Sequence, residues 1–319
     1  MRALITGING FVGGHLAEHL LATTEWQLWG IVREMELKLD ALRGRVTPLS
    51  VDLMDAAAVH NALDQVQPEI VFHLAAQAHP PTSFRDPAGT LTANILMQLN
   101  IFEAIRTLGL APTILVVGTG EEYGAVQPHE LPVTEAAALR PVSPYAVSKV
   151  TQDMLAYQYH VAHQLKTIRV RPFNHTGPRQ EERYVATEFA QQIARIEAGR
   201  QPPVVRVGNL EAQRDFTDVR DIARAYQLAV EYGEPGAVYN IGSNRPTAIA
   251  TILSILVGLS QVPIEVQHDP ERMRPADVPV IVCDATRFRQ QTGWEPRIPL
   301  EQTLRDILDD LRARVAQEP

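Results

Sequence analysis

Cysteine is almost missing from this chain. Of 319 residues only Cys283 carries a thiol, so neither an intramolecular disulfide nor a multi-thiolate zinc site can form, and a reducing, cytoplasmic setting is expected. Positive charge is in deficit as well: 29 Lys and Arg stand against 37 Asp and Glu, a net charge of −8. That is the wrong sign for gripping nucleic acid through its phosphates, so no nucleic-acid partner is expected. Long apolar runs are absent too. The stretch 249–259 is broken by Thr251, Ser254 and Gly258 and falls well short of the roughly 20 residues a membrane helix needs. Residues 1–6 lead straight into a glycine turn with no cleavable hydrophobic segment, so a soluble protein without a membrane partner is expected. His73, His79 and His175 follow no metal-ligand spacing, and no metal site is expected.

What remains is ordinary globular composition, 45% apolar and 21% charged, at a length suited to two domains or one large α/β unit. Short β-branched runs at 3–6, 27–32, 47–51, 70–74, 113–118 and 167–171 alternate with helix-length segments at 11–22, 56–66, 89–108 and 144–164. Alternation of this kind predicts an α/β fold, a Rossmann-type doubly wound parallel sheet. After Pro172, proline and glycine turns break the rhythm, which predicts a smaller C-terminal substrate-binding lobe. A helix at 219–231 and a strand at 238–241 return to the sheet. The expected division is 1–171 plus about 215–242 for the dinucleotide-binding domain, and about 172–214 plus 243–319 for the lobe. An amphipathic helix over 300–315 closes the chain.

Gly7-Ile8-Asn9-Gly10-Phe11-Val12-Gly13 spaces three glycines at intervals of three between the first strand and the first helix. A ligand-free turn has the same spacing, but at this junction the geometry suits a pyrophosphate: tight turn, close backbone approach, and a helix N-terminus with free N–H groups. Where an NAD site usually carries an acid, the second strand ends Val32-Arg33-Glu34. The Arg33 guanidinium suits the 2′-phosphate of NADP, while Glu34 keeps NAD as an alternative. Asp52 and Leu53 are candidates for the adenine, with Asp52 equally readable as a helix cap. Leu74, Ala75 and Ala76 offer small side chains past which a cofactor could lie.

Tyr145 and Lys149 stand four residues apart, on one face of a helix that Ser143 and Pro144 initiate. A phenol titrates near ~10, and a cation one turn away is expected to lower that value and make the tyrosine an acid–base group; Lys149 can also hold a ribose. Thr119, just past the fifth strand, can hydrogen-bond the same substrate oxygen. In this order, the glycine turn, Thr119, Tyr145 and Lys149 resemble the extended short-chain dehydrogenase/reductase family over essentially the whole chain.

Four further segments are similar to the branch of that family formed by GDP-hexose reductases and 4,6-dehydratases: 121–124 (Glu121-Glu122-Tyr123-Gly124), 171–178, 207–216 and 274–278. The resemblance implies that Asn174, Arg214 and Arg274 contact the diphosphate side of a GDP-sugar and that Asp277 meets its ribose or guanine. It also implies NADPH-dependent reduction of the C4 ketone of a GDP-4-keto-6-deoxyhexose, giving GDP-D-rhamnose if the product is manno. The alternatives are a GDP-mannose 4,6-dehydratase, a 4-epimerase and, outside enzymes, an NADP-sensing module. Related dehydratases read Thr, then Asp or Ser, then Glu; here Gly120 stands between Thr119 and Glu121. Glu121 is retained as a catalytic candidate, but the residue beside it has no side chain to serve as an acid. The helices 89–108 and 144–164 form a dimerising bundle in many relatives, so a homodimer is expected, although the sheet could occupy the same faces.

Overall fold

The computed structural model describes residues 1–272 and 279–318. The first half alternates as the sequence predicts: β1 (Arg2–Thr6), α1 (Phe11–Thr23), β2 (Gln27–Val32), β3 (Val46–Ser50), α2 (Ala56–Val66), β4 (Ile70–His73), α3 (Pro80–Arg85), α4 (Pro87–Thr107), β5 (Thr113–Val117), α5 (Pro144–His163) and β6 (Lys166–Pro172). Helix starts are set by side-chain caps. Asp55, Asp86 and Ser143 accept first-turn N–H groups, and Pro87 and Pro144 fill first helical positions where no donor is needed. Asp52 caps no helix; its carboxylate accepts the Met54 N–H at 2.9 Å, and Asp55 does the capping. The helix expected from 89 begins at Pro87, and α3 has no counterpart in the predicted pattern.

The second half comprises β7 (His175–Thr176), α6 (Val185–Glu197), β8 (Val204–Val207), β9 (Gln213–Asp215), β10 (Thr217–Asp218), α7 (Val219–Tyr232), β11 (Val238–Ile241), β12 (Pro246–Ala248), α8 (Ile249–Gly258), β13 (Glu265–His268), β14 (Val280–Ile281), α9 (Thr286–Thr292) and α10 (Leu300–Gln317). The main sheet has seven strands in the order β11-β6-β5-β4-β1-β2-β3, all parallel. It is the expected doubly wound sheet. Pro48 is accommodated because β3 is an edge strand, where a missing N–H costs no ladder bond. The order reverses between β1 and β4, which opens a crevice at the carboxyl ends of the strands.

Helices cover both faces. Leu16 and Leu20 of α1 and Ile222 and Tyr226 of α7 pack on one, and Leu63 of α2, Phe102 of α4 and Tyr159 of α5 on the other. A separate apolar core joins α6, α8 and α10 through Phe189, Ile193, Ile252, Leu256, Leu304 and Leu308. The two cores are tied by Arg179, whose backbone is left-handed at φ 69. Its guanidinium grips Glu18 on α1 at 2.8 Å and 2.5 Å, and its N–H donates to Asp310 on α10 at 2.9 Å.

Candidate active site

At the glycine turn, Gly7 takes φ +70, and a Cβ on it would stand 3.0 Å from the Ala75 nitrogen. A Cβ on Gly13 would meet the Gly7 oxygen at 2.2 Å. No side chain caps α1 at Gly10, so its first-turn N–H groups are available to an anion. Thr6 fixes the neighbouring strand end by accepting the Leu74 and Ala75 N–H groups at 3.1 Å and 3.0 Å. These residues fit a dinucleotide: the turn presents a backbone cradle with no room for side chains.

The crevice is a cleft of about 370 Å³ bounded by Gly7, Asn9, Gly10, Arg33, Glu34, Asp52, Leu53, Ala75 and Ala76, all anticipated, and also by Glu36, Lys38, Met54, Gln77 and Met97. Six anticipated contacts are not on its walls, Tyr145 and Lys149 among them. Val12 and Leu74 pack into the core beneath the sheet, Gly13 sits against the Gly7 backbone, and the Phe11 ring stacks on His175 at 6.3 Å. The side chain of Asn9 turns to the backbone of residues 36 and 38.

Beyond the cleft, past the end of β5 and in the first turns of α5, the reactive side chains gather. Tyr145 is buried and interacts with the Thr119 side chain. Lys149, also buried, donates from Nζ to the Val117 carbonyl at 2.8 Å. The expectation that Lys149 lowers the tyrosine pKa is not met here. Burial first, then the Glu121 carboxylate, pushes the phenol well above its ordinary value. Burial likewise pulls the Lys149 ammonium down to about 8. Glu121 is exposed and close enough to Tyr145 to act on its charge.

Sequence reasoning passed over Glu122. Its carboxylate is fully buried, accepts the Thr119 N–H at 2.8 Å and pairs with Arg171 Nε at 3.0 Å. Arg171 also reaches Asp153 at 3.0 Å, and Asp153 takes Arg169 at 2.6 Å. Burial and the Asp153 charge push Glu122 up to about 8. Nothing in the sequence marks this carboxylate as buried; in the fold, a Cβ on Gly118 would stand 2.2 Å from it, so the glycine leaves it room. His73 is buried beside this network and held neutral, its pKa down to about 3 chiefly by burial.

On the lobe side, Asn174 is exposed and lines a small cavity of about 50 Å³ with His175, Tyr184 and Phe216. Arg214 lies on β9, where its guanidinium donates to the Gln213 carbonyl at 2.8 Å. Arg274 and Asp277 fall outside the described residues. Among the described residues no group of His, Cys, Asp and Glu is arranged to hold a metal ion, and no helix is long and apolar enough to cross a membrane.

A doubly wound sheet with a glycine cradle at its switch point, and a Thr-Tyr-Lys group at the next strand ends, defines the class: a dinucleotide-dependent oxidoreductase of the extended short-chain type. The model of the family described as GDP-mannose 4,6 dehydratase matches residues 4–307. The chain belongs to that family. It is 36% identical to a GDP-6-deoxy-D-mannose reductase of Pseudomonas aeruginosa, across 99% of both chains. It is 28% identical to a GDP-mannose 4,6-dehydratase of Vibrio cholerae, across 98% of this chain and 94% of that one. Among solved structures it is similar to RMD from Pseudomonas aeruginosa complexed with NADPH, with a TM-score of 0.88 and 35% identity over 98% of this chain and 99% of that one.

Proposed function

We propose that the chain catalyses NADPH-dependent reduction of the C4 ketone of GDP-4-keto-6-deoxy-D-mannose to GDP-D-rhamnose. The observation that carries this over dehydration is the contact at Gly120. A Cβ built there would meet the Phe173 ring at 3.0 Å, so a side chain at the position of a dehydratase's added acid would need that ring to shift. A reductase needs no acid there. Likeness to a GDP-6-deoxy-D-mannose reductase over 99% of the chain supports the same reading.

NADPH, when bound, supplies the hydride to C4. The chain supplies the proton and the orientation. Tyr145, kept protonated by burial and by Glu121, gives its hydroxyl proton to O4 while Thr119 donates a hydrogen bond to the same oxygen. Lys149, one turn along α5, balances the phenolate left behind and holds a ribose hydroxyl. Asn174 and Arg214, with Arg274 and Asp277, take the GDP end. In this reading residues 1–171 and about 215–242 bind the dinucleotide, and about 172–214 with 243–319 bind the sugar nucleotide. The reading includes a cytoplasmic homodimer. A single buried free cysteine supports the reducing compartment, and exposed Val147, Met154, Tyr157 and Val161 on α5 support a surface for a second copy.

The test is product analysis by NMR with two substrates. The keto-sugar with NADPH should give GDP-D-rhamnose and consume one NADPH per product, and GDP-mannose alone should be left intact. Conversion of GDP-mannose without added NADPH would overturn the reductase in favour of the dehydratase, and interconversion of C4 epimers with no net NADPH use would favour the epimerase. Binding of NADPH with no turnover of any of these would leave the sensing module.

A further inference from the structure

The cleft wall after β2 is built by a short exposed segment, 33–38, that is held in place unusually well for a loop. Leu37 is buried in the core under the sheet. Asn9, inside the glycine turn, grips the segment from the cofactor side: its amide donates to the Glu36 carbonyl at 2.8 Å, and its side-chain oxygen accepts the Lys38 N–H at 3.0 Å. Arg43 grips it from the other side through Glu36 at 3.1 Å and the Leu37 carbonyl at 3.3 Å. The Ser50 hydroxyl donates to the Arg33 carbonyl at 2.9 Å and anchors the start.

These anchors decide the charge facing the cleft. Arg33, Glu34, Glu36 and Lys38 all line it. The Glu36 carboxylate is taken by Arg43, which also holds Asp40 at 2.8 Å. Arg33 and Lys38 make no ion pair with any described residue. Two unpaired cations against the single carboxylate of Glu34 leave the end of the cleft positive, five residues apart in sequence and on the same wall. One guanidinium accounts for a ribose 2′-phosphate with about two negative charges only in part.

We propose that Lys38 is a second ligand of the cofactor's 2′-phosphate, beside Arg33 on the same wall of the cleft, and that Asn9 is a positioning residue that sets Lys38 through the backbone of 36–38. The proposal rests on the NADP reading of the site and names the residues that enforce it. Asn9 thereby links the turn that receives the pyrophosphate to the segment that reads the 2′ position, so one side chain registers both ends of the adenosine.

Calorimetric titration of the full chain with adenosine 2′,5′-bisphosphate and with AMP, which differ only in the 2′-phosphate, tests this without turnover. Wild type should favour the bisphosphate. Lys38→Ala should weaken the bisphosphate about tenfold and leave AMP unchanged, and Lys38→Arg should restore most of the loss. Asn9→Ala should lower the bisphosphate preference with Lys38 still present. A Lys38→Ala variant that keeps the wild-type preference would overturn the Lys38 assignment and leave the NADP reading standing. Wild type binding both nucleotides equally would overturn the NADP reading itself. An unchanged preference in Asn9→Ala would remove the positioning role alone. Lys38 is exposed, and an unchanged melting temperature in its variants separates loss of a contact from loss of fold.

Discussion

A phenol that donates a proton must still hold one at working pH, and Tyr145 is placed to do so. Its pKa lies well above the ordinary value because burial and Glu121 both disfavour the phenolate. Tyr145→Phe should cut reduction by ~10²-fold or more while NADPH affinity stays near wild type, since the hydroxyl moves a proton and contributes little to cofactor binding; single-turnover rates beside cofactor titration check both halves. The neighbouring cation is the fragile group. With the Lys149 pKa down at about 8, its ammonium is lost as pH rises through that value, so kcat/KM should fall above about pH 8 while the tyrosine is still protonated. Glu122 raises the Lys149 pKa, so Glu122→Gln should shift that limb to lower pH. An alkaline limb first seen near ~10 would assign the profile to an unperturbed tyrosine instead. The i, i+4 spacing of Tyr145 and Lys149 made the pair visible in sequence. The direction of the tyrosine shift was not visible, because it depends on burial and on Glu121, which approach through the fold.

Elements meet at the site through one buried charge array. Arg171 from β6 lies between Glu122, just past β5, and Asp153 on α5, so three elements share a single guanidinium. Arg171→Met would leave buried Glu122 without its guanidinium and Asp153 with Arg169 alone, at a cost of about 3–5 kcal/mol. Urea denaturation at neutral pH should show that loss, and a variant as stable as wild type would mean the array contributes no net stability. The strands of the first half were legible as short apolar runs alternating with helix-length segments, and Asp55, Asp86 and Ser143 mark the starts of α2, α4 and α5. The pairing of β8 with β13 was not. Val204–Val207 and Glu265–His268 are four residues each, and every residue of the second is exposed, so neither alternation nor a continuous apolar run marks it. The onset of α4 at Pro87 needed only the Asp86-Pro87 cap, a local signal outweighed by the apolar period that starts later.

At the scale of the molecule, the outer surface of α5 is the feature a monomer does not explain. Val147, Met154, Tyr157 and Val161 are between 40% and 62% exposed, with Leu96 of α4 nearby in the same layer at 36%. If this surface joins two copies, light scattering should give twice the chain mass of 35.4 kDa, and Met154→Glu with Val161→Glu should return the mass to one chain without loss of NADPH binding. A wild-type mass of one chain would end the dimer proposal.

The Arg179 clasp carries a consequence for the order of events. Its guanidinium holds Glu18 on α1, the helix whose N-terminus closes the glycine turn, and its backbone holds Asp310 on α10, the helix that packs with α6 and α8. Whatever settles α1 therefore settles the floor on which the second substrate must land. Addition should be sequential and compulsory, dinucleotide before sugar nucleotide and NADP⁺ last to leave, with NADP⁺ competing against NADPH and the GDP-sugar product inhibiting noncompetitively. Arg179→Ala should relax that sequence towards random entry.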